Sequence, residues 1–226
     1  MNAYRFRWHA FAARIVMIVA LAAMVVFPTH SAFAQAVNPA ESFVQQNIDR
    51  GYQILNNHGL TGQQRRAQFR DFLLSLTDLH RIGLFTLGQY ANSAPPSDIQ
   101  AFQKAFEDYA SAVYETRLGK YTGQTLKVTG SQARAADDVI VNAVVVDPHG
   151  NNQNPIRVGF RVRQSEDGKP IITDMQVEGI WLALSERSDF TGFLQQHGGS
   201  VASLADHLRA QADQVRAESS KNGNFG

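Results

Sequence analysis

Two hydrophobic periods divide the chain. From Pro39 to Val113 apolar residues recur three and four positions apart, and from Gln124 to Val177 they alternate. The first spacing lines one face of a helix, the second one face of a strand. Asn38 is placed as an N-cap with Pro39 at N1 and Glu41 at N3, where a carboxylate reaches back to a free backbone donor. Phe43, Val44, Ile48, Tyr52 and Leu55 then fall near one helical face. Past His58-Gly59, Thr61 is placed to cap a second helix carrying Phe69, Phe72, Leu73 and Leu76 as its apolar stripe. A short third helix through Ile82 and Phe85 stops at Leu87-Gly88, and Ala94-Pro95-Pro96 forbids its continuation. Ser97 followed by Gln100 reads as a capping box for a fourth helix, with Ile99, Phe102, Phe106, Tyr109 and Val113 along one face and Gly119 at its end.

The strand half begins with Leu126 and Val128, then a β-branched run from Val139 to Val146 interrupted by Asn142. Turn formers from Asp147 to Pro155 separate it from Ile156, Val158, Phe160 and Val162, which alternate with Arg157, Gly159, Arg161 and Arg163. That strand has an apolar face and a basic face. After a turn at Asp167-Gly168, Ile172, Met175 and Val177 oppose Gln176 and Glu178, with Gly179 read as a bulge. Two helical segments close the pattern, one with Phe190, Phe193 and Leu194, the other with Val201, Leu204 and Leu208, separated by Gly198-Gly199. Helices, an antiparallel meander and helices again predict an α+β fold. No repeat or long linker divides residues 35–217, which are read as one domain, and residues 218–226 lack apolar content and are read as a disordered tail.

The N-terminus belongs to neither pattern. Arg5, Arg7 and Arg14 precede an apolar run from Ile15 to Phe27, and Ala32-Phe33-Ala34 supplies small residues at a cleavage site. Residues 1–34 are read as a signal peptide cleaved after Ala34; the run is too short for a membrane span and is stopped by Pro28. Its removal takes away three arginines and no acidic residue, turning a formal net charge of +1 into −2. Attraction to nucleic acid is then no driving force. The chain has no cysteine, which excludes disulfides, thiolate metal sites and cysteine nucleophiles together. About 190 residues suffice to bury a core without such staples.

Nucleotide-binding glycine loops, serine-hydrolase elbows and zinc-binding His-Glu-x-x-His are all missing from the sequence. His58, His80, His149, His197 and His207 lack a second ligand at helical spacing and are read as surface or capping residues. Asp78 near His80 is read as a helix cap, and Asp174 as a hydrogen-bonded or ion-paired buried carboxylate on the apolar side of its strand. Arg157, Arg161 and Arg163 are read as a solvated outer sheet face. The many large apolar residues fit a filled core and an apolar cavity equally, since both bury the same faces.

The order of motifs resembles the MlaC-type periplasmic phospholipid-binding proteins, the toluene-tolerance auxiliary family, from about Pro39 to Leu208. The resemblance rests on Pro39 to Val44; on Arg66, Phe69 and Leu73-Leu74; on Asp78, Ile82 and Phe85-x-Leu87-Gly88-x-Tyr90; and on Phe102, Phe106 and Tyr109. Tyr114, Arg117 and Tyr121 continue it, followed by Phe160-Arg161-Val162-Arg163, Asp174 with Glu178-Gly179, and Arg187 with Phe190. Pro170-Ile171-Ile172 and Ile180-Trp181-Leu182 depart from the common pattern and look like the hopanoid-associated HpnM branch.

The resemblance implies helices packed around a curved antiparallel sheet that encloses a hydrophobic lipid pocket. It implies a periplasmic carrier without enzymatic activity or cofactor, whose cargo is phospholipid, or a hopanoid if the HpnM likeness holds. Its implied partners are an inner-membrane ABC transporter with an MCE-domain subunit and an outer-membrane lipoprotein-porin complex, in a pathway that maintains outer-membrane lipid asymmetry. Phe69, Phe72, Leu73, Leu76, Ile82, Phe85, Tyr90, Phe102, Phe106, Val158, Phe160, Val162, Met175, Val177 and Ile180 are the expected lipid-binding residues. Two rival classes are a small-ligand enzyme on a cone-shaped α+β scaffold using Asp174 as acid or base, and an adaptor with nothing inside.

Overall fold

A computed structural model describes residues 38–118, 123–148, 150 and 154–221. The expected leader and its cleavage after Ala34 lie outside the described residues, as do Gly119, Tyr121, His149 and residues 222–226. The described residues form an α+β fold. Helices α1 (Pro39–Leu55), α2 (Gly62–Ser75), α3 (Leu79–Leu87) and α4 (Pro96–Leu118) come first, with a 3-10 turn at Gly88–Asn92 between α3 and α4. Strands β1 (Thr125–Ala135), β2 (Asp138–Val146), β3 (Arg157–Gln164), β4 (Pro170–Val177) and β5 (Ile180–Trp181) follow, then α5 (Leu182–Gln196) and α6 (Val201–Lys221). The sheet is an antiparallel meander in chain order.

Local chemistry sets most of the helix starts. Asn38 Oδ1 accepts from the Ala40 N–H at 2.9 Å, and its amide donates to Ser131 Oγ at 3.2 Å, so the cap of α1 also ties that helix to β1. Thr61 and Gln64 form a reciprocal capping box at 3.2 and 3.0 Å. Asp78 accepts from the Arg81 N–H at 2.9 Å and caps α3. Helix α4 departs from expectation: it begins at Pro96, and Ser97 lies inside its first turn with its hydroxyl donating to Asp98 at 3.3 Å. A proline at N1, with its fixed φ and missing N–H, outweighs the serine as the start signal.

Helix α6 runs to Lys221, so the tail expected to be disordered from residue 218 does not begin there. Ala212 is fully buried, a contact too small for a search by large apolar residues to register. One turn on, the Arg216 guanidinium grips the Asp108 carboxylate of α4 at 2.6 and 3.1 Å.

The sheet contains two further corrections. In β4 the pairing passes from Asp174 opposite Arg161 to Ile172 opposite Val162, leaving Thr173 as a bulge. The extra residue lets Ile172 and Met175 share a face although an odd number of positions separates them. It also puts Asp174 in register with Arg161 of β3, while its carboxylate is half-buried and hydrogen-bonded, as the sequence predicts. Gly179 is no bulge. Glu178 and Gly179, at φ 48° and 88°, make a two-residue left-handed turn joining β4 to β5. The Glu178 carboxylate holds that turn by accepting from the Arg157 backbone N–H and, at 3.3 Å, from its guanidinium.

The basic face of β3 is paired, not simply solvated. Arg161 forks onto Asp138 at 2.9 and 2.6 Å, and Arg163 reaches Asp137 at 3.2 Å. The Arg161 hydrogen bonds hold the Asp138 carboxyl below its ordinary range.

Apolar burial is split between two clusters. One is helical and joins Leu87, Phe102, Phe106, Phe190, Leu194, Leu204 and Leu208 from α3 to α6. Phe102, fully buried, stacks on Phe106 at 5.8 Å and meets Phe190 edge-on at 6.0 Å. The other packs Ala40 and Val44 of α1 against Val141 and Val162 of the sheet.

Candidate binding cavity

Where the helical cluster and the sheet cluster fail to merge, a cavity of about 230 Å³ is left. Leu73 of α2, Leu76 at its C-cap, and Leu79, Ile82 and Thr86 of α3 form one side, with Thr77 between the two helices. The second half of α4 supplies Phe106, Tyr109, Ala110, Val113 and Tyr114, spaced so that one helical face lines the wall. Phe160 of β3, Ile172, Asp174 and Met175 of β4, and Leu182, Ala183 and Glu186 of α5 complete it. A backbone bond from the Ile172 N–H to the Leu76 carbonyl, 2.9 Å long, fixes the end of α2 to β4 and holds this side shut.

Of the residues expected to bind lipid, Leu73, Leu76, Ile82, Phe106, Phe160 and Met175 lie on this wall. The structure takes the other nine elsewhere. Phe69 and Phe72 turn to α1, where a Cβ on Gly51 would stand 3.4 and 3.3 Å from their rings, and Arg50 lies over Phe72 at 5.4 Å. Phe102 is in the helical core, and Tyr90 packs at its edge against Gly199. Val162 belongs to the sheet cluster, and Val158 is buried in register with Val177, which pairs in turn with Ile180. Ile180 itself is 60% exposed. Phe85 lies in a smaller neighbouring recess with Arg81, Arg161 and Arg163, its ring covered by the Arg187 guanidinium at 4.9 Å.

The wall residues missing from the expected set are of two kinds. Tyr109, Val113 and Ile172 carry the right periodicity, as do the large apolar Leu79 and Leu182 at the starts of α3 and α5. Thr77, Thr86, Tyr114, Asp174 and Glu186 are polar, and Ala110 and Ala183 are small, so a search for large apolar residues passes over them.

The polar groups are unequal. Asp174 Oδ1 accepts from the backbone N–H of Met175 at 2.8 Å and of Ala183 at 3.0 Å, which fastens α5 to β4. Burial raises its carboxyl above the ordinary range in spite of those bonds. Glu186 has no hydrogen-bond or ion-pair partner among the described residues; burial first, and repulsion from Asp189 second, raise its carboxyl too. The Tyr109 and Tyr114 phenols are raised chiefly by burial and further by Glu186. No group of three or more His, Cys, Asp or Glu side chains able to hold a metal occurs among the described residues.

A carboxyl raised in the folded state contributes stability that is fully present below its unfolded pKa and is lost as pH rises through the folded one. Glu186→Gln is therefore expected to raise the thermal midpoint by a few degrees at neutral pH, with the gain vanishing below about pH 4. Thermal melts of the two proteins across that range check it, and an equal gain in acid would contradict it.

A family model described as MlaC protein matches residues 45–210, well over half of the chain. Among solved structures, the phospholipid-binding protein of Ralstonia solanacearum, determined in complex with a phospholipid, aligns with a TM-score of 0.66 at 23% identity. The alignment covers 78% of this chain and 98% of that one, and at such identity the likeness is one of fold. No described helix is long and apolar enough to cross a membrane.

Proposed function

The chain belongs to the MlaC protein family, and on that footing we propose that it carries phospholipid, shielding acyl chains from water while the headgroup stays near the cavity mouth. The observation that carries this reading is the apolar cavity bounded by α2 to α5 and the sheet. Two acyl chains contain on the order of 30 methylenes, and at about 0.8 kcal/mol each their exposure to water costs roughly 24 kcal/mol. Non-covalent affinities saturate near about 18–21 kcal/mol, so a free lipid crossing water is no usable step. Cargo passes between the carrier and its donor or acceptor only while they are docked. Transfer from bilayer to cavity exchanges one apolar surrounding for another, so direction comes from partners.

The setting we propose is the periplasm, between an outer-membrane lipoprotein-porin complex and an inner-membrane ABC transporter with an MCE-domain subunit. Cargo from the hopanoid class is the alternative, supported by Pro170-Ile171-Ile172 and Ile180-Trp181-Leu182. At about 230 Å³ the cavity is smaller than the roughly 300–1,000 Å³ common for ligand sites, so a loaded form is wider than the one described.

Native mass spectrometry of protein purified without detergent, followed by solvent extraction, tests the reading. One lipid per chain is the expected result. Hopanoid from a hopanoid-making host would select the alternative cargo, and a protein that takes up no lipid from vesicles would remove the carrier reading.

A further inference from the structure

The cavity wall is mostly apolar, and among its polar members α4 and α5 supply Tyr109, Tyr114 and Glu186. On α5 Glu186 is half-buried between Leu182, 36% exposed, and the exposed Asp189, so this stretch of the wall borders solvent. Glu186 is unpartnered among the described residues. The adjacent Arg187 does not serve it, because that guanidinium lies over Phe85. Nor does either phenol hydroxyl have a hydrogen-bond partner among the described residues.

The other polar groups that face this space are at least partly engaged. Asp174, across the cavity on β4, has one oxygen engaged by two backbone N–H groups. The Thr86 hydroxyl donates to the Gly83 carbonyl at 2.7 Å and that of Thr77 to the Leu73 carbonyl at 3.4 Å. Among the described residues no lysine or arginine lines the cavity, and Asp189 adds a second negative charge beside the first. A carboxylate partly withdrawn from water and left unpaired is unfavourable until a cation or hydrogen-bond donor meets it.

We propose that Glu186, flanked by Tyr109 and Tyr114, is a headgroup-selecting site that receives the ammonium of a lipid whose tails occupy the cavity. The proposal rests on the carrier reading and adds the class of cargo to it. A primary ammonium brings a positive charge and three N–H donors, one for the carboxylate and one for each phenol. A quaternary ammonium brings the charge alone and is held by the carboxylate and the ring faces. A headgroup of net negative charge brings its phosphate to an acidic rim and has no cation to offer.

Vesicles with equal amounts of phosphatidylethanolamine, phosphatidylcholine and phosphatidylglycerol test the site, with the lipid retained by the re-isolated protein read by mass spectrometry. The wild type is expected to retain an ammonium lipid over phosphatidylglycerol by about tenfold, the discrimination of one charge-assisted contact. Whether the ethanolamine or the choline lipid leads tells whether N–H donors or ring faces hold it, and either supports the site. Glu186→Met is expected to bring the ratio to that of the vesicles, and Tyr114→Phe, which keeps the ring, gives a second reading if the first variant folds poorly. Retained lipid at the vesicle ratio, or enriched in phosphatidylglycerol, overturns the ammonium site and leaves carriage standing. No retained lipid of any class overturns carriage itself.

Discussion

Ala110→Trp is expected to empty the protein of cargo while leaving it folded. Ala110 lies at the middle of the α4 wall, one turn from Phe106 on one side and Tyr114 on the other. An indole there extends into a void of about 230 Å³, so it takes the volume that tails would use without displacing the buried helical core. Filling an existing void also adds contacts, and the thermal midpoint should hold or rise. Lipid recovered per chain after incubation with vesicles should fall by at least about tenfold. A folded variant with a full lipid load would show that cargo binds somewhere else.

The contrast is Phe102→Ala, two turns earlier on the same helix. Its ring is fully buried between Phe106 and Phe190, and removing it leaves a hole among side chains that have no freedom to close it. The expected loss is about 3–5 kcal/mol in denaturant unfolding. The fraction that remains folded should carry lipid at the wild-type ratio, because Phe102 is not on the cavity wall. Loss of lipid with unchanged stability would move Phe102 from the core to the site.

These two residues show how far the sequence could be read. Phe102, Phe106, Tyr109 and Val113 form a single apolar stripe, and periodicity correctly marks that stripe as turned inward. It does not say against what. The first half of the stripe meets α5 and α6 while the second half meets empty space, a difference set by parts of the chain far away. Helix α2 divides likewise, with Leu73 and Leu76 facing the cavity and Phe69 and Phe72 facing α1.

The α+β class, the caps at Asn38, Thr61 and Asp78, and the meander are local properties and were legible. The register of Asp174 with Arg161 was not, because the bulge at Thr173 breaks the alternation from which faces are counted. Glu186 carries no signal in the sequence for a simpler reason. A carboxylate on a helix ordinarily points to water, and nothing in its neighbours along the chain announces that it does not.

The meander pairs each strand with its neighbour in sequence, so the sheet forms from segments close along the chain. Helix α6 is the opposite case: Arg216 grips Asp108 across 108 positions, and Leu204 and Leu208 complete a core begun at Leu87. Closing so long a loop is slow compared with zipping hairpins. A ribosome releases the chain from its N-terminus, so the helical core stays open until the final segment has emerged. Helix α6 is therefore the latch whose docking completes the helical core.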